Sequence, residues 1–254
     1  MILLKNIIKV TIMITAFQVS AYGQNATDTT KNNVAATINK EQKEEDYQLH
    51  NDWPNLKYYQ EDNKKLVSTK KDLVLLIGDS ITELWDELDP LFFDANKNYV
   101  NRGISGQTTP QMLLRFRQDV INLKPKMVVI LGGTNDIAGN TGQATINEIF
   151  GNLVSMVQLA KANHIKPVIC SILPTIEYPW KTGQEPAGKI ANLNHQLKAY
   201  AAAHQITYLD YYNAMKNNEG GLKKNLTKDG VHPNIAGYKI MEPLLQSAIS
   251  NRKN

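Results

Sequence analysis

The sequence predicts an α/β protein of three layers, in which a central five-stranded parallel sheet carries helices on both faces. The first observation is that short apolar runs rich in β-branched residues alternate with longer segments whose apolar residues recur every three or four positions. The second is that this alternation occurs five times, as expected of successive strand and helix units. The third is composition: 254 residues, 42% hydrophobic and 20% charged, suffice to bury one sizeable core.

The five predicted strands are the apolar runs, most of which are closed by Gly, Asn or Asp. They are “DLVLLIG” (72–78), “NYVNRG” (98–103), “KMVVILGG” (126–133), “KPVICSIL” (166–173) and “ITYLDYY” (206–212). Helical spacing is found in “TPQMLLRFRQDVINL”, “TINEIFGNLVSMVQLAKANH”, “GKIANLNHQLKAYAAAHQ” and the closing “NIAGYKIMEPLLQSAIS”. In such a sheet a ligand binds outside the carboxyl ends of the strands, so the residues there are the candidates for a site.

The N-terminal region is predicted to be separate from the folded domain. Residues 1–23 carry Lys5 and Lys9, an apolar stretch too short for a membrane span and small residues at the end, which is typical of a cleaved signal peptide. Residues 24–48 are polar and charge-rich, which predicts a flexible leader, and the folded domain then comprises residues 49–254. We expect an exported protein, periplasmic or secreted, without stable membrane insertion after cleavage; an uncleaved anchor is the alternative.

Charge and motifs exclude several functions. The formal net charge is +4, and loss of the two lysines within residues 1–23 lowers it to +2, which is too weak and scattered for a nucleic-acid surface. The segment “GQEPAGKI” (183–190) has the Gly and Lys spacing of a nucleotide phosphate loop, but Ile190 lacks the hydroxyl that would bind magnesium and Pro186 lacks an amide donor. Metal-binding motifs are absent from the sequence, so no nucleotide, metal or other cofactor is predicted.

The single cysteine, Cys170, cannot form a disulfide within the chain. It lies in the fourth apolar run, which predicts a small buried hydrophobic residue. Stability is therefore expected to come from the core, even in an oxidising compartment.

Ser80 follows the first apolar run, and acyl transfer needs such an oxygen nucleophile. Serine is also a favoured helix N-cap, and the two roles are compatible because the helix dipole stabilises an oxyanion at the helix start. Ser105 is an alternative, but “GISGQ” does not match the G-x-S-x-G elbow, which favours a loop or capping role. The other small or polar residues at the strand ends are Asn101, Gly103, Gly106, Gly133, Asn135 and Asp136.

His232 is the candidate general base. The other four histidines lie near the linker, within a helix or at helix ends, whereas His232 lies in a loop, three residues after Asp229 and before a proline. The acid that orients the base is either Asp229, which a short D-x-x-H turn can bring to the imidazole, or Asp210 at the end of the fifth run. Asp79 and Asp136 are expected to make hydrogen bonds within the loops that hold the neighbouring site residues.

Together these motifs resemble the four blocks of the GDSL or SGNH hydrolase superfamily, in the right order. The blocks are “GDSIT”, which departs from GDSL at its last letter, “NRGISG”, “GTND” and “DGVHP”. The resemblance implies a flavodoxin-like SGNH-hydrolase fold, with Ser80 as nucleophile and Asp229 and His232 as acid and base. It also implies an oxyanion hole formed by the amides of Ser80 and Gly103 and the side chain of Asn135.

Within the superfamily the chain looks most like exported acylhydrolases of the platelet-activating-factor acetylhydrolase-like and carbohydrate-esterase branches. The resemblance implies a secreted serine esterase that removes a short acyl group, acetyl above all, from a carbohydrate or similar polar alcohol through an acyl-enzyme on Ser80. Tyr178 and Trp180, in a long loop, are candidate contacts for this small-molecule or glycan ester, with packing at an exposed edge equally open. The alternatives are a lysophospholipase or thioesterase for longer chains and a non-catalytic carbohydrate-binding module.

Overall fold

A five-stranded parallel sheet forms the centre of the unit that begins at Pro54. The computed structural model describes residues 37, 40, 42–44, 46, 47, 49–66 and 72–250. The strands are β1 (Val74–Gly78), β2 (Tyr99–Gly103), β3 (Met127–Leu131), β4 (Lys166–Cys170) and β5 (Thr207–Leu209), in the order β2-β1-β3-β4-β5. The predicted fold class is confirmed.

Helices cover both faces of this sheet. They are α1 (Gln60–Leu66), α2 (Ser80–Leu88), α3 (Pro90–Ala95), α4 (Thr109–Asp119), α5 (Thr134–Ala138), α6 (Ile146–Ala162), α7 (Pro186–Ala203), α8 (Tyr211–Met215) and α9 (Ile235–Ser250). Short 3-10 helices follow α4 at Ile121–Leu123 and precede α9 at Lys224–Leu226.

Alternate residues of β1 enter two different halves of the core. Leu75 and Ile77 pack with apolar side chains of α4, α6 and α7, whereas Val74 and Leu76 pack with those of α2, α3, α8 and α9. This division follows from the strand geometry, because successive side chains point to opposite faces of a sheet. With both faces covered, a site has room only at the ends of the strands.

The register of the central strands brings their carboxyl ends to one rim. Gly78, the last residue of β1, pairs with Gly103 of β2 and Leu131 of β3. The segments that follow these three strands therefore begin side by side. They contain Ser80, the “GISGQ” loop and “GGTND”.

All five predicted strands are longer than the observed ones, and the last two differ most at their carboxyl ends. The fourth run ends as a strand at Cys170, and the fifth ends at Leu209. Asp210 terminates the fifth strand because its carboxylate accepts a hydrogen bond from the amide of Asn213, 3.1 Å away, and so caps helix α8. The apolar pair of tyrosines that extended the predicted strand belongs to this helix.

Cys170 lies at the end of β4 and is buried. Burial raises the pKa of its thiol. The prediction of a small buried hydrophobic residue is confirmed.

The unit Met1–Trp53 is described for part of its length only. Its described residues 42–44, 46, 47 and 49–51 are helical. The predicted signal peptide, residues 1–23, lies outside the described residues, as does most of the predicted leader, residues 24–48. The flexibility of the leader and the start of the domain at residue 49 stay predictions. Among the helices of the described residues, none combines the length and apolar character needed to cross a membrane.

Candidate active site

Ser80 is the first residue of helix α2, directly after β1. The residue that caps this helix is Asp79, whose Oδ1 accepts a hydrogen bond from the amide of Ile81 at 3.0 Å. The prediction that Ser80 itself could be the cap is therefore wrong by one position. Since the first amides of a helix have no partner within the helix, the Ser80 amide remains available at the rim.

His232 connects Ser80 to Asp229. The Nε2 atom of His232 lies 2.9 Å from Oγ of Ser80, and its Nδ1 lies 2.6 Å from Oδ2 of Asp229. With Nδ1–H donating to the carboxylate, Nε2 is left to accept the serine proton. The structure thus brings the three predicted catalytic residues together in the order that nucleophilic catalysis requires.

The turn from Asp229 to His232 is closed by the other carboxylate oxygen. Oδ1 of Asp229 accepts hydrogen bonds from the amides of Val231 and His232, at 2.9 and 2.8 Å. Burial by itself would raise the pKa of Asp229, but the hydrogen bonds and the charge of His232 outweigh it and hold this pKa well below its usual range. The acid is therefore an anion fixed in place before any substrate binds.

Thr227 supports this turn and was not assigned from the sequence. Its Oγ1 accepts from the amide of Gly230 at 3.0 Å and donates to the carbonyl of His232 at 2.7 Å. A Thr two residues before Asp-Gly is a recognisable turn signal, because Ser and Thr hydroxyls bind nearby backbone groups.

Asp210 and Ser105, the alternatives considered for acid and nucleophile, have other partners. Asp210 caps helix α8 and also accepts from the side-chain amide of Asn213 at 2.7 Å. The amide of Ser105 donates to Glu83 at 2.7 Å, and its hydroxyl donates to the same carboxylate. Neither residue is hydrogen-bonded to His232 among the described contacts.

Asn135 lies in the short helix α5 after β3, with the direction of its side-chain amide fixed by two partners. Its Oδ1 accepts from Nδ2 of Asn140 at 3.1 Å, and its Nδ2 donates to the carbonyl of Gln107 at 3.0 Å. A side-chain amide carries two N–H donors, so one donor of Asn135 remains for a ligand.

Gly103 does not offer a free amide. Its N–H donates to Oδ1 of Asn101 at 2.8 Å, and its carbonyl accepts from the hydroxyl of Tyr59 at 2.5 Å. A side chain has no room here, since a β-carbon would lie 2.2 Å from the backbone nitrogen of Glu83. Close packing of β2 on α2 therefore accounts for glycine at this position, and the predicted oxyanion role of Gly103 would require its bond to Asn101 to break.

Gly106 is the second glycine of the same motif. It lies in a turn closed by a hydrogen bond from the amide of Gln107 to the carbonyl of Ile104, at 3.3 Å. Its φ of 78° is the positive value that the third position of a type II turn requires. Within the described part of the chain its amide has no hydrogen-bond acceptor, and the space over its α-carbon is open.

Asp136 and Asp79 stabilise the loops of the site, as the sequence predicted. Asp136 accepts from both the amide and the hydroxyl of Thr109, at 2.9 and 2.5 Å, which joins α5 to the start of α4. Burial raises the pKa of Asp136, against the effect of these hydrogen bonds. Burial likewise raises the pKa of Asp79 to about 6.

The two candidate substrate aromatics differ in accessibility. Tyr178 is fully buried, and its hydroxyl lies 3.0 Å from Oγ1 of Thr134, so its ring is part of the core. Trp180 is half-buried, with its ring centre 5.9 Å from that of His232. Its Nε1 donates to Oδ1 of Asn140 at 3.1 Å. Of the two, only Trp180 has a partly accessible ring next to His232.

A parallel α/β sheet with Ser, His and Asp hydrogen-bonded at its carboxyl rim defines a serine hydrolase. The chain belongs to the GDSL-like lipase/acylhydrolase family, whose model matches residues 76–240. Members of this family are ester-hydrolysing serine hydrolases. Among the described residues there is no cluster of His, Cys, Asp and Glu that could hold a metal ion.

The chain is also similar to individual proteins. A GDSL-like lipase from Bacteroides thetaiotaomicron, solved as a crystal structure, is 46% identical; the match covers 78% of this chain and 98% of that chain, with a TM-score of 0.75. Platelet-activating factor acetylhydrolase IB subunit alpha2 of Homo sapiens is 30% identical over 187 residues, which are 69% of this chain and 75% of that protein. A lipoprotein of Bacillus subtilis is 39% identical over 86 residues; this match spans 33% of this chain and 35% of the lipoprotein.

Proposed function

We propose that this chain is an exported esterase that removes a short acyl group, above all acetyl, from a carbohydrate or similar polar alcohol. The observation that carries the proposal is the continuous hydrogen bonding from Asp229 through His232 to Ser80, at 2.6 and 2.9 Å. A hydroxyl in contact with an oriented imidazole is an activated nucleophile.

The reaction proceeds in two acyl transfers. Nε2 of His232 takes the proton of Ser80 while Oγ attacks the ester carbonyl carbon, and the ionised Asp229 stabilises the imidazolium. The bond from the carbonyl carbon to the alcohol oxygen then breaks, and His232 returns the proton to the departing alcohol. Water next attacks the acyl-enzyme, with His232 accepting its proton and passing it back to Ser80 as the carboxylic acid leaves.

The negative charge on the carbonyl oxygen needs donors at the rim. We assign the amide of Ser80, the remaining side-chain N–H of Asn135 and, in place of Gly103, the amide of Gly106. Two observations support the choice of Gly106. The space over its α-carbon is open, and the carbonyl of the next residue, Gln107, accepts a hydrogen bond from the side chain of Asn135. Donors fixed before the reaction stabilise the oxyanion without reorganisation.

The short acyl group and the polar alcohol have separate support. The acetylhydrolase named among the relatives removes acetyl groups according to its name, and its match covers most of the present domain. Trp180, half-buried beside His232, offers an aromatic face of the kind that stacks on sugar rings. Export is supported by the sequence of residues 1–23, and cleavage before Gln24 would be recognised from the mass of the mature protein.

The function is tested by comparing the purified protein with its Ser80→Ala variant. Both are incubated with acetylated glycans, aryl acetates and lysophospholipids, and the released acid is followed. We expect acetyl esters to be preferred and turnover to fall by about 10⁴-fold or more in the variant, because the nucleophile is lost. Equal turnover by both proteins would remove Ser80 from the mechanism.

A chain-length series of nitrophenyl esters separates the acetylesterase from a lysophospholipase or thioesterase. We expect acetate to be the best substrate and longer esters to be slower. A strong preference for long-chain esters such as octanoate would reject the acetyl-esterase proposal while leaving the serine hydrolase chemistry in place.

A further inference from the structure

The carboxylate of Glu83 joins the nucleophile helix to the turn that carries Gly106. Glu83 lies in the first turn of α2, three residues after Ser80. Its Oε2 accepts hydrogen bonds from the amide of Ser105, at 2.7 Å, and from the Ser105 hydroxyl. Its Oε1 accepts from the hydroxyl of Tyr58. Three donors from two other segments therefore converge on one side chain.

The turn is held at its other end by different groups. The last residue of the turn is Gln107. Its carbonyl accepts a hydrogen bond from Nδ2 of Asn135 at 3.0 Å, and its side-chain oxygen accepts one from Nε of Arg115 at 2.5 Å. Glu83 is thus the link between this turn and the helix of Ser80, whereas Gln107 links the turn to Asn135. The amide of Gly106 lies between these two anchors.

We propose that Glu83 is a positioning residue for the oxyanion hole. It fixes the turn of residues 104–107 against the first turn of α2, so that the amides of Ser80 and Gly106 face one oxygen atom. The inference deepens the proposed function and rests on it, because it assumes that a carbonyl oxygen becomes an anion at this rim.

Charge and positioning predict opposite outcomes at Glu83. A carboxylate close to a developing oxyanion opposes the build-up of negative charge, so removal of the charge alone would favour the transition state and raise the rate. Loss of the anchor would instead leave the Gly106 amide in several orientations and lower the rate. The sign of the change in kcat therefore distinguishes the two effects.

The test compares Glu83→Gln and Glu83→Ala with Asp86→Asn, an exposed acid on the same helix, as the matched control. We expect Glu83→Ala to lower kcat about 10- to 100-fold with KM nearly unchanged, because oxyanion contacts form only in the transition state. Glu83→Gln keeps one oxygen for the Ser105 amide and should lie between Glu83→Ala and the wild type. Asp86→Asn should leave kcat unchanged.

A second readout separates positioning from general damage to the fold. A boronic acid forms a tetrahedral anion on Ser80, so its affinity should fall in parallel with kcat across the Glu83 variants. The acid limb of the pH–rate profile should not move, because the His232–Asp229 pair is untouched. Thermal unfolding of Glu83→Gln, which preserves the shape of the side chain, shows whether the variant is folded.

The results that contradict the role of Glu83 differ from those that contradict the proposed function. A kcat for both Glu83 variants equal to or above that of Asp86→Asn, or a loss confined to KM, would overturn the inference. Unchanged boronate affinity in a variant with reduced kcat would also overturn it. Equal hydrolysis of the esters by the wild type and Ser80→Ala would contradict the proposed function itself. Loss of activity in Ser80→Ala, with no effect of the Glu83 substitutions, would contradict only the role of Glu83.

Discussion

The hydroxyl of Ser80 lies 2.9 Å from Nε2 of His232, although 152 positions separate the two residues in the chain. A hydrogen bond between the helices that flank the two residues stabilises this contact. The hydroxyl of Tyr238 in helix α9 donates to the carbonyl of Ile81 at 2.8 Å. The helix that follows His232 is therefore fixed to the helix that begins with Ser80. The pair therefore depends on the packing of both ends of the domain.

Asp229→Asn should lower kcat by about 10³- to 10⁴-fold with little change in KM. An amide in place of the carboxylate can donate a hydrogen bond to Nδ1 of His232. The imidazole proton then resides on Nε2, and this nitrogen cannot accept the proton of Ser80. The measurement is steady-state hydrolysis of an aryl acetate. Asp210→Asn is the matched control, because asparagine still caps α8, and it should retain wild-type turnover. A larger loss of kcat for Asp210→Asn than for Asp229→Asn would indicate that Asp210 is the acid that orients His232.

Asn135→Ala should raise the barrier by about 2.7–4 kcal/mol, the usual cost of one oxyanion donor. Asn140→Ala should cost less, about 0.5–1.5 kcal/mol, since it removes one hydrogen bond that fixes the direction of the Asn135 amide. Both values come from kcat/KM for the same ester. Equal losses for the two variants would contradict the assignment of the direct contact to Asn135.

Ester hydrolysis should fall as the pH is lowered, along a limb that reflects the uptake of a single proton. His232 must be neutral to accept the proton of Ser80, so its protonation removes the base. Asp229 does not contribute to this limb, because its pKa lies well below the usual range and it stays ionised at mildly acidic pH. The pH dependence of kcat/KM checks this, and a rate that is flat through acidic pH would contradict the assignment of His232.

Arg115→Ala should destabilise the protein by about 3–5 kcal/mol, because it leaves a buried carboxylate without its cation. The guanidinium is fully buried, binds Asp119 at 3.1 Å and donates to the carbonyl of Gly78 at 2.8 Å, just before the nucleophile. Arg117→Ala, at an exposed position of the same helix, should stay within about 0.5 kcal/mol of the wild type. Equilibrium unfolding in denaturant measures both, and equal values would show that the buried pair is unimportant.

The sheet and the proximity of Asp229 to His232 could be predicted because both have local signals. Runs of β-branched residues mark buried parallel strands, and Asp229 and His232 belong to one short turn. The end of β5 could not be read in the same way, since Tyr211 and Tyr212 fit a strand pattern equally well. Capping of α8 by Asp210 decides against the strand.

The two glycines considered for the oxyanion hole show what local signals cannot provide. Gly103 and Gly106 lie in the same motif and look equivalent in the sequence. In the structure the amide and carbonyl of Gly103 are bound to Asn101 and Tyr59, whereas the amide of Gly106 is free among the described residues. Glu83 was not recognised because its partners lie far away in the sequence, 22 and 25 positions from it. Burial of Tyr178 is likewise a property of the tertiary structure.

The state of Cys170 has a consequence for handling the protein. The chain has one cysteine, which is buried in the sheet, and burial keeps its thiol protonated. Native molecules therefore have no reactive thiol for disulfide exchange or cross-linking. Synthesis under reducing conditions and storage in air should give the same material. A maleimide dye that reacts with this thiol would report molecules that have opened, which makes the residue a built-in probe of unfolding.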